Sequence, residues 1–367
     1  LPVWEWFSQA LDKVVGNLTP HDAYLSAQVT ALESIRSGAT CVLDYNYPHP
    51  QPGMSETAIE GFRSLGIRTV FARGIIDAGE VHETLIHDTL YELQECESLI
   101  KQYHRKGDGL IRIWLAPYTI FSTSAQALLE ANSLAQKYQT GITIHAATPS
   151  TLEAAQTLFK MTDIAYEKEL GILGPNVLLV HCTHPSPTDL DSIAGARACI
   201  SHNPASNAYL GEGAAPVIEL LRRGITVGLG TDGPASNNNQ DMLATLKLTA
   251  LIQKLIHEDP SVISAADVLY LATMGGAKAI GWDDEIGSLE AGKRADLFVL
   301  NPWLPNTVAH DDPVACLVYS ATQENIETVM INGNLVMRDR KINHIDEQKI
   351  LRAAQAASIA LLTKSGF

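Results

Sequence analysis

The sequence predicts an α/β protein built as a (β/α)₈ barrel of the TIM type, with a small C-terminal β segment of a satellite sandwich domain. Seven short apolar runs, rich in β-branched residues, recur between residues 39 and 232. Each run is unbroken rather than alternating, as is typical of parallel strands buried on both faces. Amphipathic stretches separate the runs, which indicates consecutive right-handed strand–helix–strand units.

The seven predicted strands are 39–45, 67–74, 111–117, 141–147, 176–182, 197–204 and 225–232. The stretches 124–138 and 215–224 are examples of the predicted helices between them, and the second ends in glycine, as helices often do. A closed barrel of this type has eight strands. The segment 1–16 is predicted to be a helix of the kind that follows a strand. We therefore expect the first strand upstream of residue 1, and an open doubly wound sheet of seven strands is the alternative.

The alternation of predicted strand and helix ends at residue 232. Helices are predicted at 240–257 and 264–280, and the segments 286–300 and 326–342 alternate and contain turn residues, as antiparallel strands do. A last helix is predicted at about 346–363. The expected division is a barrel over 1–283, a satellite β-sheet segment over 284–340 and a C-terminal helix within 341–367.

Composition excludes several classes of function. The 41 acidic side chains exceed the 26 basic ones, which gives a net charge of −15 without a basic block, so neither nucleic acid nor an anionic membrane is an expected partner. No apolar run approaches the roughly 20 residues of a membrane span, and the N-terminus lacks a secretory signal. The sequence predicts a cytoplasmic protein, with a homo-oligomer left open. The five cysteines contain no CxxC pair, which disfavours disulfides and thiolate zinc sites.

Polar side chains end four of the predicted strands: His145, His181, His202 and Asp232. A single histidine in a strand is more often a hydrogen-bonded core residue than a ligand. The C-terminal ends of barrel strands, however, meet at one mouth, where these enzymes carry their chemistry. Imidazole and carboxylate are the usual ligands of Zn²⁺, so the four residues together indicate a metal-dependent catalytic site.

Three longer strings carry a family resemblance: VHCTH, SHNPASNAYLGEGAAPVIELLRRGITVGLGTDGPASNNNQDM and IGSLEAGKRADLFVLNP. They resemble the amidohydrolase superfamily, in its branch of cytosine, guanine and S-adenosylhomocysteine deaminases and triazine hydrolases. The resemblance implies one divalent metal, Zn²⁺ or alternatively Fe²⁺, bound by an HxH motif on the first strand, by His145 and by Asp232. It makes Asp232 and His181 the catalytic residues that handle protons, and it places His202 in a loop that faces the substrate.

The sequence departs from the family pattern at two points. No HxH motif occurs in the 367 residues, and we expect one within roughly 70 residues upstream of Leu1, on the absent strand. Deaminases of this group usually have His-x-x-Glu at the fifth strand of the complete barrel, which corresponds to the fourth strand predicted here. This chain has His145-Ala-Ala-Thr148 at that strand. A threonine hydroxyl does not titrate near neutral pH. Thr148 either replaces the acid that protonates ammonia or caps the following helix, and the two roles are compatible.

The candidates for substrate contact carry weaker signals. Arg73 ends the second predicted strand, where a guanidinium could bind a carbonyl or an anion, or could instead cap a helix. Tyr118 follows the third and could stack on a heterocycle or be a core aromatic. Asn203 adjoins His202, and His184 has left its strand, which favours a structural role. The loop 44–54, which contains His49, is expected to cover the mouth or to be a connection without a role.

The sequence therefore predicts a metal-dependent hydrolase, in particular an aminohydrolase of a nitrogen heterocycle such as a purine, pterin or triazine. Metal-activated water would attack an sp² carbon. We expect His145 and Asp232 to lie about 2 Å from a shared metal, and with only two ligands we expect weak or absent metal binding. The alternatives are a hydrolase with a leaving group other than ammonia, and a catalytically impaired or truncated protein that holds no metal.

Overall fold

The computed structural model describes residues 11–367. Most of the helix predicted at 1–16 lies outside the described residues, and its last part is the short helix α1 (Asp12–Val15).

Seven parallel strands form one sheet, in which each strand pairs with its neighbours along the chain. In order they are β1 (Cys41–Asn46), β2 (Arg68–Ile75), β3 (Ile111–Pro117), β4 (Ile142–Ala146), β5 (Val177–His181), β6 (Cys199–His202) and β7 (Val227–Leu229). A doubly wound sheet reverses its strand order at a switch point, and this sheet does not. The observed order confirms a barrel of the TIM type.

Helices connect the strands and surround the sheet. After α1 they are α2 (Pro20–Arg36), α3 (Met54–Leu65), α4 (Thr89–Tyr103), α5 (Ala125–Tyr138), α6 (Pro149–Phe159), α7 (Asp163–Glu169), α8 (Pro187–Ala196), α9 (Pro204–Leu210), α10 (Val217–Arg222), α11 (Pro234–Asn237), α12 (Met242–His257), α13 (Ala265–Tyr270), α14 (Gly276–Ala279), α15 (Pro313–Tyr319) and α16 (Glu347–Lys364). A π-helical turn, Leu271–Gly275, joins α13 to α14. None of the helices among residues 11–367 is long and apolar enough to cross a membrane.

The apolar runs form strands because both faces of the sheet are covered. Every residue of β2 and β3 is buried, as the unbroken hydrophobic pattern requires. Several helices begin where the sequence offers a cap and a proline. Ser186, for example, accepts from the N–H of Asp189, and the Asp189 side chain accepts from the N–H of Ser186 in return. Such a capping box fixes the first turn of α8 next to the end of β5.

A second, antiparallel sheet of four strands follows the barrel. Its strands are β8 (Leu297–Leu300), β9 (Ile326–Ile331), β10 (Asn334–Arg338) and β11 (Lys341–Ile342). The last strand ends at Ile342, where the predicted segment 326–342 also ends, and its backbone pairs with that of β10. Helix α16 then packs on α2, and an ion pair joins Arg36 to Glu347.

A buried charged stack joins the satellite sheet to the base of the barrel. The Arg68 side chain, at the start of β2, donates two hydrogen bonds to the Asp296 carboxylate, of 2.7 and 2.9 Å. The guanidinium carbons of Arg68 and Arg112 lie 4.9 and 3.9 Å from the ring centroid of Trp282, which is 1% exposed. These cation–π contacts lie at the N-terminal ends of the strands, the face that serves stability in such barrels.

Candidate active site

The four polar residues that end predicted strands lie at one mouth of the sheet, as predicted. His145 belongs to β4, His181 and His202 are the last residues of β5 and β6, and Asp232 follows β7. The backbone of His181 and Asp232 is left-handed, with φ values of 75° and 61°. Residues other than glycine rarely adopt this conformation, and when they do they cluster at functional sites. The turns after β5 and β7 direct both side chains toward the same space.

His145 is held in one tautomer and orientation. Its Nδ1 lies 2.9 Å from the main-chain oxygen of Tyr118, so Nδ1 carries the proton and Nε2 keeps its lone pair. Burial, followed by the neighbouring His181, lowers the pKa of His145 to about 4. The two imidazole centroids are 5.4 Å apart. His145 is therefore neutral at physiological pH, as a metal ligand must be.

His181 and Asp232 form the second half of the site. The Nδ1 atom of His181 lies 2.8 Å from Oδ1 of Asn207, and its Nε2 lies 3.8 Å from Oδ2 of Asp232. Burial acts to raise the pKa of Asp232, but the His181 imidazole and the N–H of Gly233, 2.7 Å from Oδ1, outweigh it and hold that pKa below its usual value. Asp232 is consequently anionic beside an imidazole that can exchange a proton with it.

The donors present fit a divalent metal in their chemistry but not in their number. His145 offers a neutral Nε2 and Asp232 a carboxylate oxygen, which are ordinary ligands for such an ion. Across residues 11–367, no group of three or more His, Cys, Asp and Glu side chains is arranged to hold a metal. Catalytic zinc sites use three protein ligands and leave one position open. The described residues therefore supply part of a ligand set.

His202, the last residue of β6, is the third histidine of the site. Its side chain is 0% exposed, and neither ring nitrogen has a hydrogen-bond partner among the described residues. Burial, followed by the nearby His181, lowers the pKa of His202 to about 3. The adjacent Asn203 is buried and accepts a hydrogen bond from Ser201. An unpartnered buried imidazole is costly, which favours the predicted contact with a ligand.

Aromatic rings line the site next to His145. The centroids of Tyr45 and Tyr118 lie 4.6 and 5.3 Å from that of His145, and Tyr47 stacks on Tyr118 at 4.5 Å. The loop 44–54 that carries Tyr47 is ordered: His49 is buried, with Nε2 2.9 Å from Oγ of Ser55. The predicted position of Tyr118 beside the site is thus observed, and its substrate contact stays a prediction.

Arg73 is engaged elsewhere. Its guanidinium forms an ion pair with Glu92 of α4 and also donates to the main-chain oxygen of Gly74. Both side chains of the pair are 2% exposed. The structure thus favours a positioning role for Arg73 over the predicted substrate contact, which stays a prediction. Glu92 gave no signal in the sequence because an acidic residue in the first turn of a helix is common.

The two residues of undecided role are both hydrogen-bonded locally. Thr148 caps α6, since its hydroxyl accepts from the N–H of Thr151, so the predicted capping role is confirmed. The side chain of the exposed His184 contacts Oγ1 of Thr183 through Nδ1 at 2.9 Å. The main-chain N–H of His184 donates to the main-chain oxygen of Ala147. This arrangement favours the structural interpretation of His184.

Three residues of the site escaped the sequence prediction. Asn207, which orients His181, lies in the quoted string SHNPASN, one helical turn beyond Asn203, and could have been found there. Ser150 and Glu212 are joined by a hydrogen bond of 3.2 Å from Oγ to Oε1. They are 62 residues apart in the chain, and only the fold brings them together.

Comparison with known proteins agrees with this geometry. The model of the amidohydrolase family matches residues 1–336, and the chain belongs to that family. It is 33% identical over 354 residues to a 5-methylthioadenosine/S-adenosylhomocysteine deaminase of Thermoanaerobacter pseudethanolicus, covering 96% of this chain and 79% of the relative. It is also 33% identical over 362 residues to a 5'-deoxyadenosine deaminase of Methanothermobacter thermautotrophicus, covering 98% and 82%.

Solved structures give the same assignment. The fold matches a zinc-bound adenosine deaminase of Xanthomonas campestris with a TM-score of 0.92 at 24% identity, covering 99% of this chain and 81% of that one. A mutant of atrazine chlorohydrolase TrzN from Arthrobacter aurescens TC1, complexed with zinc and atraton, matches with a TM-score of 0.91 at 26% identity, covering 97% and 82%. The protein is a hydrolase that acts on C–N bonds, and its family indicates a divalent metal.

Proposed function

We propose that this protein is a zinc-dependent aminohydrolase that removes the amino group from the purine ring of an adenosine derivative. The observation that carries the proposal is the joint placement of a neutral His145, an oriented His181 and an ionised Asp232 at strand ends that share one mouth. The relatives named as deaminases of adenosine derivatives support the substrate class.

His145 through Nε2 and Asp232 through its carboxylate are the described residues that would hold the metal. The chemistry that zinc supplies in such a site is the activation of water near neutral pH. Of the two residues, only Asp232 carries a negative charge and can accept the proton that water loses as it attacks the purine carbon. His181 faces Asp232 through Nε2 and can receive that proton in turn, because Asn207 fixes the hydrogen at Nδ1.

The substrate base would lie against the aromatic residues beside His145. The ring centroids of Tyr45 and Tyr118 lie 4.6 and 5.3 Å from that of His145, so a purine bound beside His145 would contact aromatic surface. His202 has two ring nitrogens free to form hydrogen bonds with the polar edge of a bound heterocycle. Binding would thereby satisfy a buried polar group that is otherwise unpaired, and this favours a nitrogen heterocycle over an apolar ligand.

Ammonia release tests the proposal. Zinc-loaded protein should release ammonia from methylthioadenosine, S-adenosylhomocysteine or 5'-deoxyadenosine, with a matching change in purine absorbance. Asp232→Asn should reduce kcat by about 10²-fold or more, since it removes a proton acceptor. Glu130→Gln, a change on the exposed surface of α5, is the control and should keep parental kcat. No turnover by protein with confirmed zinc occupancy would refute the proposal.

One observation favours a second candidate. Thr148 occupies the position of the usual glutamate, and its hydroxyl, engaged in capping α6, cannot titrate to protonate ammonia. A hydrolase that expels a leaving group needing no proton would not require that acid. Chloride or methanol release from substituted triazines, in the absence of ammonia release from the adenosine compounds, would select this candidate.

A further inference from the structure

The turn that ends β4 has an unfavourable backbone conformation. Ala147, two residues after His145, has φ of 51° and is 0% exposed. A residue with a Cβ atom seldom adopts this left-handed conformation, because the Cβ then lies too close to the following carbonyl oxygen. Such a residue persists only where its surroundings hold it. The hydrogen-bond partners of Ala147 therefore help to set the shape of the strand end that carries His145.

A buried carboxylate holds the main-chain N–H of Ala147. Oδ2 of Asp163 accepts this hydrogen bond at 2.6 Å, while Oδ1 accepts from the N–H of Ile164 at 2.9 Å. Asp163 is the first residue of α7 and is 0% exposed. Without its carboxylate, the N–H of Ala147 would be a buried donor that lacks a partner, which is costly. Helix α7 thus fixes the N–H side of the turn.

The same turn is joined to the loop after β5. The main-chain oxygen of Ala147 accepts from the N–H of His184 at 2.8 Å, and that of Ala146 accepts from the N–H of Cys182 at 3.1 Å. The ends of β4 and β5 are therefore linked just beyond the two imidazoles that they carry, whose centroids are 5.4 Å apart. Of the three hydrogen bonds, the one to Asp163 is made by a side chain, so a substitution can remove it.

We propose that Asp163 is a positioning residue for metal binding, because by holding the Ala147 turn it keeps His145 in place opposite His181. The inference rests on the proposed role of His145 as a metal ligand. Asp163 acts through the main chain rather than on the metal or the substrate. Once its carboxylate is lost, Ala147 can relax out of the left-handed conformation, and the end of β4 shifts together with Nε2 of His145. A metal site tolerates little such movement, since its ligand distances vary by only about 0.2 Å.

Zinc affinity, measured by competition with a chelator, tests the inference without a substrate. Asp163→Ala should weaken zinc binding by about tenfold, the lower end of the loss seen when a group that orients a ligand is removed. Asp163→Asn keeps an oxygen that can accept from the N–H of Ala147, so its zinc affinity should stay within about threefold of that of the parent.

A second substitution asks whether the carboxylate acts through the turn. Adding Ala147→Gly to Asp163→Ala should restore most of the zinc affinity, because glycine adopts positive φ without the cost that alanine carries. The matched control is Asp267→Ala, which removes an aspartate from the first turn of α13. It should lower the free energy of unfolding and leave zinc affinity unchanged. If Asp163→Ala does not fold, Asp163→Ser, with its shorter side chain, takes its place in the same comparisons.

Two results would overturn the proposal. Parental zinc affinity in Asp163→Ala would mean that the carboxylate only supports the start of α7. A loss that Ala147→Gly does not restore would mean that Asp163 does not act through the turn. A parent that binds zinc but releases no ammonia would contradict the aminohydrolase function, while the zinc affinities would still decide the role of Asp163. A parent that binds no zinc would contradict both.

Discussion

Replacing His202 by phenylalanine should make the stability of the protein less sensitive to acid. The imidazole is 0% exposed and has no polar partner among the described residues, and burial lowers its pKa to about 3. In the unfolded chain its pKa returns to the ordinary value near 6.5. The unfolded chain therefore takes up a proton before the folded protein does as the pH falls.

The sign and size of the effect follow from the two pKa values. Stability from a neutral buried His202 is fully present above about pH 6.5 and is lost as the pH falls through the interval from 6.5 to about 3. At about 1.36 kcal/mol per pKa unit, the complete loss is about 5 kcal/mol. Between pH 8 and pH 5, the loss is about 2 kcal/mol.

Guanidinium unfolding of metal-stripped protein at pH 8 and pH 5 measures this difference directly. The free energy of unfolding of the parent should fall by about 2 kcal/mol more between the two pH values than that of His202→Phe. Effects of the substitution on packing cancel, because each protein is compared with itself. His145, whose pKa is also lowered, is present in both proteins, so its contribution to the change in the free energy of unfolding cancels as well.

The exposed His257 provides the control. His257→Gln should leave the acid sensitivity of the parent unchanged. If His202→Phe loses as much stability between pH 8 and pH 5 as the parent does, His202 is already charged or solvated in the folded protein. Its ring nitrogens would then not be free to bind a ligand.

The other predictions concern the supports of the site. Glu92→Gln should lower the free energy of unfolding by about 3–5 kcal/mol, because it leaves the buried Arg73 guanidinium unpaired. The double variant Arg73→Met/Glu92→Leu should recover most of that loss and keep parental KM, whereas a large rise in KM would restore Arg73 as a substrate contact. Asn207→Leu should lower kcat by about 10–100-fold and shift the pH profile of kcat/KM, since the His181 Nδ1–H then has no acceptor; an unchanged profile would remove Asn207 from the mechanism. Trp282→Ala should cost about 3–5 kcal/mol in guanidinium unfolding with little change in kcat, and a smaller cost would mean that the arginine stack at the barrel base is not closely packed.

The fold could be predicted from the sequence because its signal is local. Each buried parallel strand is a short apolar run, and each connecting helix has its own periodicity and caps, so the strand order follows once the units are counted. The edge of the satellite sheet was harder to place. Strand β11 has two residues, Lys341 and Ile342, and exists through its pairing with β10. The predicted segment 326–342 includes both residues, but its pattern does not separate so short a strand from β10.

The candidate site could be predicted in part for a similar reason. His145, His181, His202 and Asp232 end apolar runs, and the rule that strand ends share one mouth places them together. The partners of these residues could not be predicted in that way. Arg73 also ends a strand, yet a buried carboxylate 19 residues away takes its guanidinium. Strand-end position therefore predicts which end of the barrel a side chain occupies. It does not predict whether an oppositely charged side chain from a helix pairs with it.

The segment after β6 carries more of the site than any single strand does. It starts from His202 at the end of β6, continues through Asn207, which fixes the tautomer of His181, and reaches Glu212, which accepts a hydrogen bond from Ser150 of α6. Helix α9 lies between His202 and Glu212 in the chain, and its Asn207 contacts His181 at the end of β5. A side chain that orients a catalytic histidine therefore comes from a different part of the chain than His145, which lies on β4.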